Sequence, residues 1–335
     1  MIFGYLILML LVILVAAEIF CNALEHLGER LKISEGVTGS LFAAVGTALP
    51  ETMVPILALF AGTENVSVNQ EISVGAILGA PLMLSTLSLS LLTLATLKSR
   101  GAGGRFTPEK TGITRDLNFF LFAFSLAAIA LFIPPAFSSA RTGIGFALVL
   151  IYFIYIMLTL RASAKLVEDG HGTEAHSPML LSRFGFSHNL ALIIVQLGIG
   201  LVLLVGGAKG FIHGVEEAAP LIGISALLLS LLIIPIATEL PEKVNSILWI
   251  RKRKDTLAFG NITGAMVFQG TLLPAIGVML TPWGLRPDVL IGVLVTLAAA
   301  LWLRLMLVRG QLQVWHLAVN GALYIAYLVT VLSLR

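Results

Sequence analysis

Ten stretches of about 20 or more mostly apolar residues dominate this chain of 335 residues. A stretch of that length forms a helix that can cross a bilayer. A soluble fold is excluded because only 12% of the residues are charged, against about 25% in soluble domains. The sequence therefore predicts an all-α integral membrane protein with ten transmembrane helices. The predicted spans are 2–24, 36–62, 71–97, 117–138, 141–160, 188–213, 220–249, 257–280, 287–308 and 313–334.

A polar stretch at residues 162–187 divides these spans into two sets of five. We therefore expect a first half at 1–161, a linker at 162–187 and a second half at 188–335. Because each half holds an odd number of spans, the second half enters the membrane from the opposite side. This is the geometry of an inverted repeat.

The distribution of basic residues predicts the orientation. The connections after the first, third, fifth, seventh and ninth spans, counted with Arg304 near the end of the ninth span, hold sixteen Lys and Arg residues, whereas the other face holds three. The positive-inside rule places the sixteen in the cytoplasm, together with the linker, and both termini outside. The basic residues then indicate topology and a lipid partner rather than nucleic-acid binding, in a cell membrane that we expect to be the cytoplasmic (inner) one.

One motif occurs twice, once in each half. Residues 47–51, Thr-Ala-Leu-Pro-Glu, match residues 238–242, Thr-Glu-Leu-Pro-Glu, at an offset of 191. The same offset relates Leu31-Lys32-Ile33-Ser34 to Ile222-Gly223-Ile224-Ser225. The recurrence inside two apolar spans of opposite predicted orientation supports the inverted repeat.

The residues of this motif predict an intramembrane cation site. Pro50 and Pro241 remove a backbone donor and break or kink their helices, which frees carbonyl oxygens. Carboxylate, hydroxyl and carbonyl oxygens suit hard cations such as Ca²⁺ or Na⁺. A carboxylate at bilayer depth costs about 2.5–3.5 kcal/mol on insertion scales, so Glu51 and Glu242 are candidates for function. The alternative is that both acids are neutral and only hydrogen-bonded between helices.

At these residues the chain resembles the cation/calcium exchanger superfamily, best known for sodium/calcium exchangers. The resemblance covers about 30–85 and 221–277, and it implies ten spans in two inverted five-span halves. It also implies a set of roles for matching positions. The central ion ligands would be Thr47, Glu51, Thr238 and Glu242, of which Glu51 and Glu242 would bind the metal ion. The carbonyls of Ala44 and Pro235 would be further ligands. Pro50 and Pro241 would be the helix breaks.

The chain departs from the family pattern at several positions. Ala48 and Glu239 replace the motif serines, and Leu84 and Gln269 replace later amide or acidic ligands. Many oxygens of the flanking sodium sites are therefore missing, mostly from the first half. Glu239 and Gln269 stay as candidate ion ligands in the second half.

Lys243 adds a positive charge beside Glu242, four residues after Glu239. Three hypotheses follow. The two could form a local ion pair, the ammonium could replace one transported cation, or Glu239 could carry a proton because burial disfavours its charged form.

Glu18 and Lys209 are also 191 residues apart, in the first and sixth spans. An ion pair between them could latch one conformation. Separate positions facing lipid headgroups or the cavity are the alternative.

Together these features predict a secondary active antiporter that moves Ca²⁺, or another divalent cation, in exchange for Na⁺ or H⁺. Its partners would be inorganic cations and the bilayer, without a resident cofactor. One alternative is a non-transporting ion-sensing or scaffold protein with the same fold. An intramembrane enzyme is the weakest hypothesis, because no Ser-His or His-x-x-His arrangement lies at membrane depth, and we expect no enzymatic activity.

Overall fold

The computed structural model describes residues 2–30, 49–167, 178–185, 189–310 and 312–333. Within these ranges the chain is helical, and the only β feature is a single bridge between Arg105 and Gln313. In chain order the helices are α1 (Ile2–Arg30), α2 (Leu49–Ala61), α3 (Val66–Met83), α4 (Leu89–Arg100), α5 (Lys110–Ala130), α6 (Ser138–Val167), α7 (Leu190–Leu221), α8 (Ala226–Thr238), α9 (Leu240–Arg251), α10 (Asp255–Leu280), α11 (Pro287–Val308) and α12 (Val314–Ser333).

Eight helical segments in the described ranges are long and apolar enough to cross a membrane. They correspond to eight of the ten predicted spans, with α3 and α4 joined into one segment, Val66–Arg100. The two remaining spans, 36–62 and 220–249, carry the repeated motif. Their apolar helices are shorter, at Glu51–Ala61 and Ala226–Ile236.

A π-helical turn at Leu84–Ser88 connects α3 to α4. Such a turn widens the helix and loosens its backbone hydrogen bonds. The Ser85 carbonyl accepts a hydrogen bond from Asn320 Nδ2 at 2.8 Å, and the same amide donates to the Ala299 carbonyl at 3.1 Å. A side chain of α12 therefore satisfies a carbonyl of the irregular turn.

The chain divides into two compact units, residues 1–72 with 154–229 and residues 73–153 with 230–335. Each unit draws on both sequence halves. The division into the halves 1–161 and 188–335 describes the sequence repeat and stays a prediction.

In the first unit, α1 packs along α7 in antiparallel fashion. Three glycines of α7, each seven residues apart, face α1. A Cβ atom added at Gly200, Gly207 or Gly214 would lie 2.9, 3.0 or 2.8 Å from Phe20, Ile13 or Leu6, respectively. Glycine thus lets the two helices approach closely, as small residues do in membrane interfaces.

Part of the predicted linker also belongs to the first unit. Residues 181–184 form a 3₁₀ turn, and Leu181 N donates to Gln196 Oε1 at 3.0 Å. Gln196 Nε2 donates in turn to Asn22 Oδ1 at 2.9 Å, and Leu180 N donates to the same oxygen at the same distance. Two buried amide side chains therefore fix the end of the linker to α1 and α7.

In the second unit, α10 packs against α5 and α9. Gly270 of α10 faces the ring of Phe120, and Trp283 is buried with its Nε1 donating to the Ala127 carbonyl at 3.0 Å. Gly79 of α3 meets the backbone of α8 at Leu231, so these two helices cross at close range. The core of this unit thus surrounds the second copy of the motif.

Candidate functional site

The second motif copy lies where one helix ends and the next begins. α8 ends at Thr238, and Glu239 has φ −91° and ψ 10° before α9 starts at Leu240. Pro241 occupies the first turn of α9, where its missing N–H is tolerated. The carbonyl of residue 237, which would accept from position 241, loses its helical donor. The sequence thus interrupts the helix at membrane depth and leaves oxygen atoms available.

Two predicted ligands flank this interruption, and both are buried. Thr238 is fully buried, and its Oγ1 donates to the Ile234 carbonyl at 3.1 Å. Glu242 is 4% exposed and lies in the first turn of α9. The positive end of a helix dipole stabilises a carboxylate in that position. The local geometry therefore favours a negative charge that faces a protein interior.

Asn261 supports the backbone at Glu242. Its Nδ2 donates to the Glu242 carbonyl and to Ser246 Oγ, both at 3.0 Å. The sequence reasoning did not select Asn261 or Ser246 as site residues. The sequence feature that could have identified Asn261 is an asparagine within an apolar span, because an amide group there needs several hydrogen-bond partners.

A second group of predicted residues comes together around the Glu239 carboxyl group. Lys243 Nζ lies 3.3 Å from Glu239 Oε2 and donates to the Pro235 carbonyl at 2.8 Å. Glu239 is fully buried, and Lys243 is 6% exposed. The side chain of Gln269, which is also buried, reaches Glu239 from α10. The second unit thus assembles Pro235, Glu239, Lys243 and Gln269 into one polar cluster.

The first motif copy is described only from Leu49 onward. Glu51 is 2% exposed and lies in the first turn of α2, directly after Pro50. Ala44 and Thr47 lie outside the described residues. Glu51 belongs to the first unit and Glu242 to the second. Each copy therefore provides a buried acid two residues after the leucine of its Leu-Pro-Glu sequence.

The Glu18 and Lys209 side chains are both exposed, on α1 and α7 of the first unit. The structure contains no ion pair between them, so it gives the proposed latch no support. An exposed charge on a spanning helix is compatible with snorkelling to the membrane surface.

Asp116 is a buried acid that the sequence reasoning did not select. It lies on α5, is 6% exposed, and its Oδ2 accepts from Thr263 Oγ1 of α10 at 2.8 Å. A periodic apolar pattern around it gave no reason to single it out. Within the described ranges, no three His, Cys, Asp or Glu side chains cluster as a preformed metal centre. A cation bound there would depend on hydroxyl, amide and carbonyl oxygens as well.

Comparison with known proteins agrees with this architecture. The family model for the sodium/calcium exchanger protein matches residues 1–161 and 192–333. The inner membrane protein YrbG of Escherichia coli (strain K12) is 24% identical over 84% of this chain and 81% of its own length.

Two solved structures share the fold. The H⁺/Ca²⁺ exchanger CAX has a TM-score of 0.71 at 19% identity, covering 99% of this chain and 82% of its own. The sodium-calcium exchanger NCX_Mj has a TM-score of 0.59 at 21% identity, covering 100% of this chain and 98% of its own.

Proposed function

Because the chain belongs to the sodium/calcium exchanger family, we propose that it is a secondary active antiporter that exchanges Ca²⁺, or another divalent cation, for Na⁺ or H⁺. Family membership confirms the identification made from the repeated motif. It also makes the chain a multi-pass integral membrane transporter rather than an enzyme. The observation that carries the proposal is the pair of buried acids, Glu51 and Glu242, each in the first turn of a helix inside an apolar span.

By the resemblance at the motif, Glu51 and Glu242 would each be an acidic ligand of the divalent cation within the membrane. The Thr47 and Thr238 hydroxyls and the Ala44 carbonyl would complete an oxygen shell of the kind that Ca²⁺ takes. The CAX and NCX_Mj names associate this fold with calcium and with either protons or sodium as the counter-ion. Those names support the proposed ions here without selecting between the two gradients.

The proposed arrangement has ten spans in two inverted halves, with both termini outside and the basic connections in the cytoplasm. The membrane would be the cytoplasmic one, as the name of the YrbG relative indicates for that protein. Alternating access would involve movement of the first and sixth spans, α1 and α7, beside a fixed core. Their close packing supports a role as one moving pair.

The first test is radiolabelled Ca²⁺ uptake into proteoliposomes under an imposed Na⁺ gradient and, separately, a pH gradient. We expect Glu51→Gln and Glu242→Gln each to reduce gradient-driven uptake by about 100-fold, because each removes a charged ligand worth about 3 kcal/mol. Glu18→Gln is the matched control, since Glu18 is a membrane-helix acid with an exposed side chain. Its uptake should stay close to that of the unmodified protein.

Two results would contradict the proposal. Uptake that persists in both variants would remove the two acids from the site. An absence of Ca²⁺ uptake under both gradients would overturn the calcium assignment. That result would favour transport of another cation, or a non-transporting ion-sensing or scaffold protein. The missing oxygens of the sodium sites also point to the second alternative.

A further inference from the structure

Lys243 makes its shorter contact with a backbone oxygen rather than with an acid. Its Nζ lies 2.8 Å from the Pro235 carbonyl and 3.3 Å from Glu239 Oε2. An ammonium at 2.8 Å from an oxygen forms a charge-assisted hydrogen bond. An ion pair between Glu239 and Lys243 alone would not require a hydrogen bond from Lys243 to the carbonyl of Pro235, eight residues earlier in the chain. The backbone at the end of α8 therefore helps to position this cation.

The place that the ammonium occupies is one that suits a metal cation. Pro235 lies in the last turn of α8, which ends at Thr238. The carbonyl end of a helix carries a partial negative charge and attracts cations. By its position in the sequence, Lys243 lies in the first turn of α9, where a positive charge is unfavourable. The side chain thus takes its charge away from the positive end of one helix and places it at the negative end of another.

Another polar side chain lies next to this position. Glu239 is fully buried, and Gln269 reaches it from α10. Gln269 Oε1 is buried and accepts no hydrogen bond from any residue in the described ranges. The Pro235 carbonyl and the Glu239 carboxyl group contact the ammonium, and the Gln269 amide oxygen lies in the same buried cluster. Carbonyl, carboxyl and amide oxygens are ligands that hard monovalent or divalent cations use. These oxygen ligands are typical of a cation site, and the Lys243 ammonium occupies the place of the cation.

The first motif copy differs from the second at the two charged positions. At the offset of 191, Glu239 and Lys243 correspond to Ala48 and Thr52. The Leu-Pro-Glu core is the same in both copies, whereas the two charges occur in the second alone. The two charges are therefore what distinguishes the second copy of the motif from the first.

We propose that the Lys243 ammonium permanently occupies one cation position of the transport site, so that the protein binds one monovalent cation fewer than it would without this lysine. The inference rests on the proposed function for its meaning in transport. It concerns cation binding itself, however, and its test does not require transport.

The test compares thermal stability in NaCl, in KCl and in choline chloride at equal ionic strength, with detergent-purified protein. Lys243→Thr gives the second copy the residue of the first and empties the position. We expect this variant to gain a Na⁺- or K⁺-dependent rise in Tm of about 5 °C beyond that of the unmodified protein, because a free cation now binds at the oxygens. Lys243→Arg, which keeps the charge, should show no additional dependence.

The double variant Glu239→Ala with Lys243→Thr separates this inference from a local ion pair. It reproduces the residues of the first copy and leaves no unpaired buried carboxyl group. We expect it to lose the additional cation dependence, since one of the oxygen ligands is gone. Equal salt dependence of the unmodified protein and a folded Lys243→Thr variant would overturn the proposal.

If Lys243→Thr unfolds in choline chloride, the same buffers still decide the outcome. Folding that is restored by NaCl or KCl supports the replacement of a free cation by the ammonium. A variant that stays unfolded in all three salts shows that no free cation replaces it, which overturns the proposal. A failure of Ca²⁺ uptake in the unmodified protein would contradict the antiport function alone.

Discussion

Arg100 forms a buried junction between a loop and two helices. Its guanidinium makes two hydrogen bonds to Asp255, at 2.6 and 2.9 Å, and one to the Ile250 carbonyl at 2.8 Å. It also lies 4.9 Å from the centre of the Phe106 ring. The Arg100 and Asp255 side chains are 6% and 5% exposed. A bidentate pair with so little exposure depends on both partners, because a single remaining charge would be buried without compensation.

We expect Asp255→Ala to lower the free energy of unfolding by about 3–5 kcal/mol and the Tm by about 10 °C. Differential scanning fluorimetry of the purified protein measures this change. The matched control is Glu217→Ala, which removes a contact with His213 at 3.2 Å; the Glu217 and His213 side chains are 53% and 57% exposed. That control should change the Tm by no more than about 2 °C, since exposed pairs contribute little. Equal effects of the two variants would contradict the assignment.

Glu109 caps the start of α5 outside the membrane-spanning segments. Its carboxylate accepts hydrogen bonds from Thr111 N at 2.6 Å and Gly112 N at 2.7 Å. The backbone hydrogen bond from Gly112, assisted by those from Thr111 and by the charge of Arg115, holds the pKa of Glu109 below its ordinary value of 4.5. The charged form is therefore favoured more in the folded protein than in the unfolded chain.

A lowered pKa makes a contribution to stability that is present above pH 4.5 and is lost as the pH falls through the lower folded value. We expect the Tm difference between the unmodified protein and Glu109→Gln to be constant from pH 7 to about pH 5 and to shrink below it. Because Glu109 is exposed, the difference should correspond to no more than about 1 kcal/mol. A difference that grows on acidification would contradict this interpretation.

At the scale of helices, the α1–α7 pair depends on positions without a side chain. Gly207→Leu would drive a side chain into Ile13, whereas the neighbouring Gly206 has no atom within 4 Å of an added Cβ. We expect Gly207→Leu to reduce the Tm by about 5–10 °C, and Gly206→Leu to leave it unchanged or raise it slightly, because leucine is the better helix former. Thermal unfolding of both variants provides the comparison. A similar loss of Tm in both variants would show that the glycines are required for flexibility of the helix and not for close packing against α1.

The helices show where sequence periodicity is sufficient and where it is not. Span 287–308 matches α11 at both ends because a continuous apolar run has no competing signal. Span 220–249, for which the sequence predicts a break at Pro241, consists of α8 and α9, and the interruption lies at Glu239. The proline identified the region of the break, but the residue at which the chain leaves the helix depends on tertiary contacts. Within the predicted linker, residues 181–184 form an ordered turn, and Gln196 accepts a hydrogen bond from Leu181 N.

For the whole molecule, composition predicts a helical membrane protein, and the resemblance at the repeated motif gives its family. Contacts between distant parts of the chain were beyond such reasoning. Arg100 and Asp255 are 155 residues apart, and Asp116 and Thr263 are 147 apart. The spacing of Glu239 and Lys243 indicated their proximity, whereas the Pro235 carbonyl joined them only through the helix break. Local patterns thus predicted the elements and candidate acids, and packing determined the partners.

The line of glycines on α7 has an evolutionary consequence. Gly207 faces Val12 and Ile13 of α1, and Gly214 faces Leu6 and Tyr5, whereas Gly200 meets the Cβ and backbone of Phe20. At Gly207 and Gly214 the available volume is shared with side chains that are far away in the sequence. Among homologous proteins, a larger residue at either of these two positions should therefore occur together with a smaller one at a facing position of α1. These contacts should record a common history of compensating substitutions, readable without any structure.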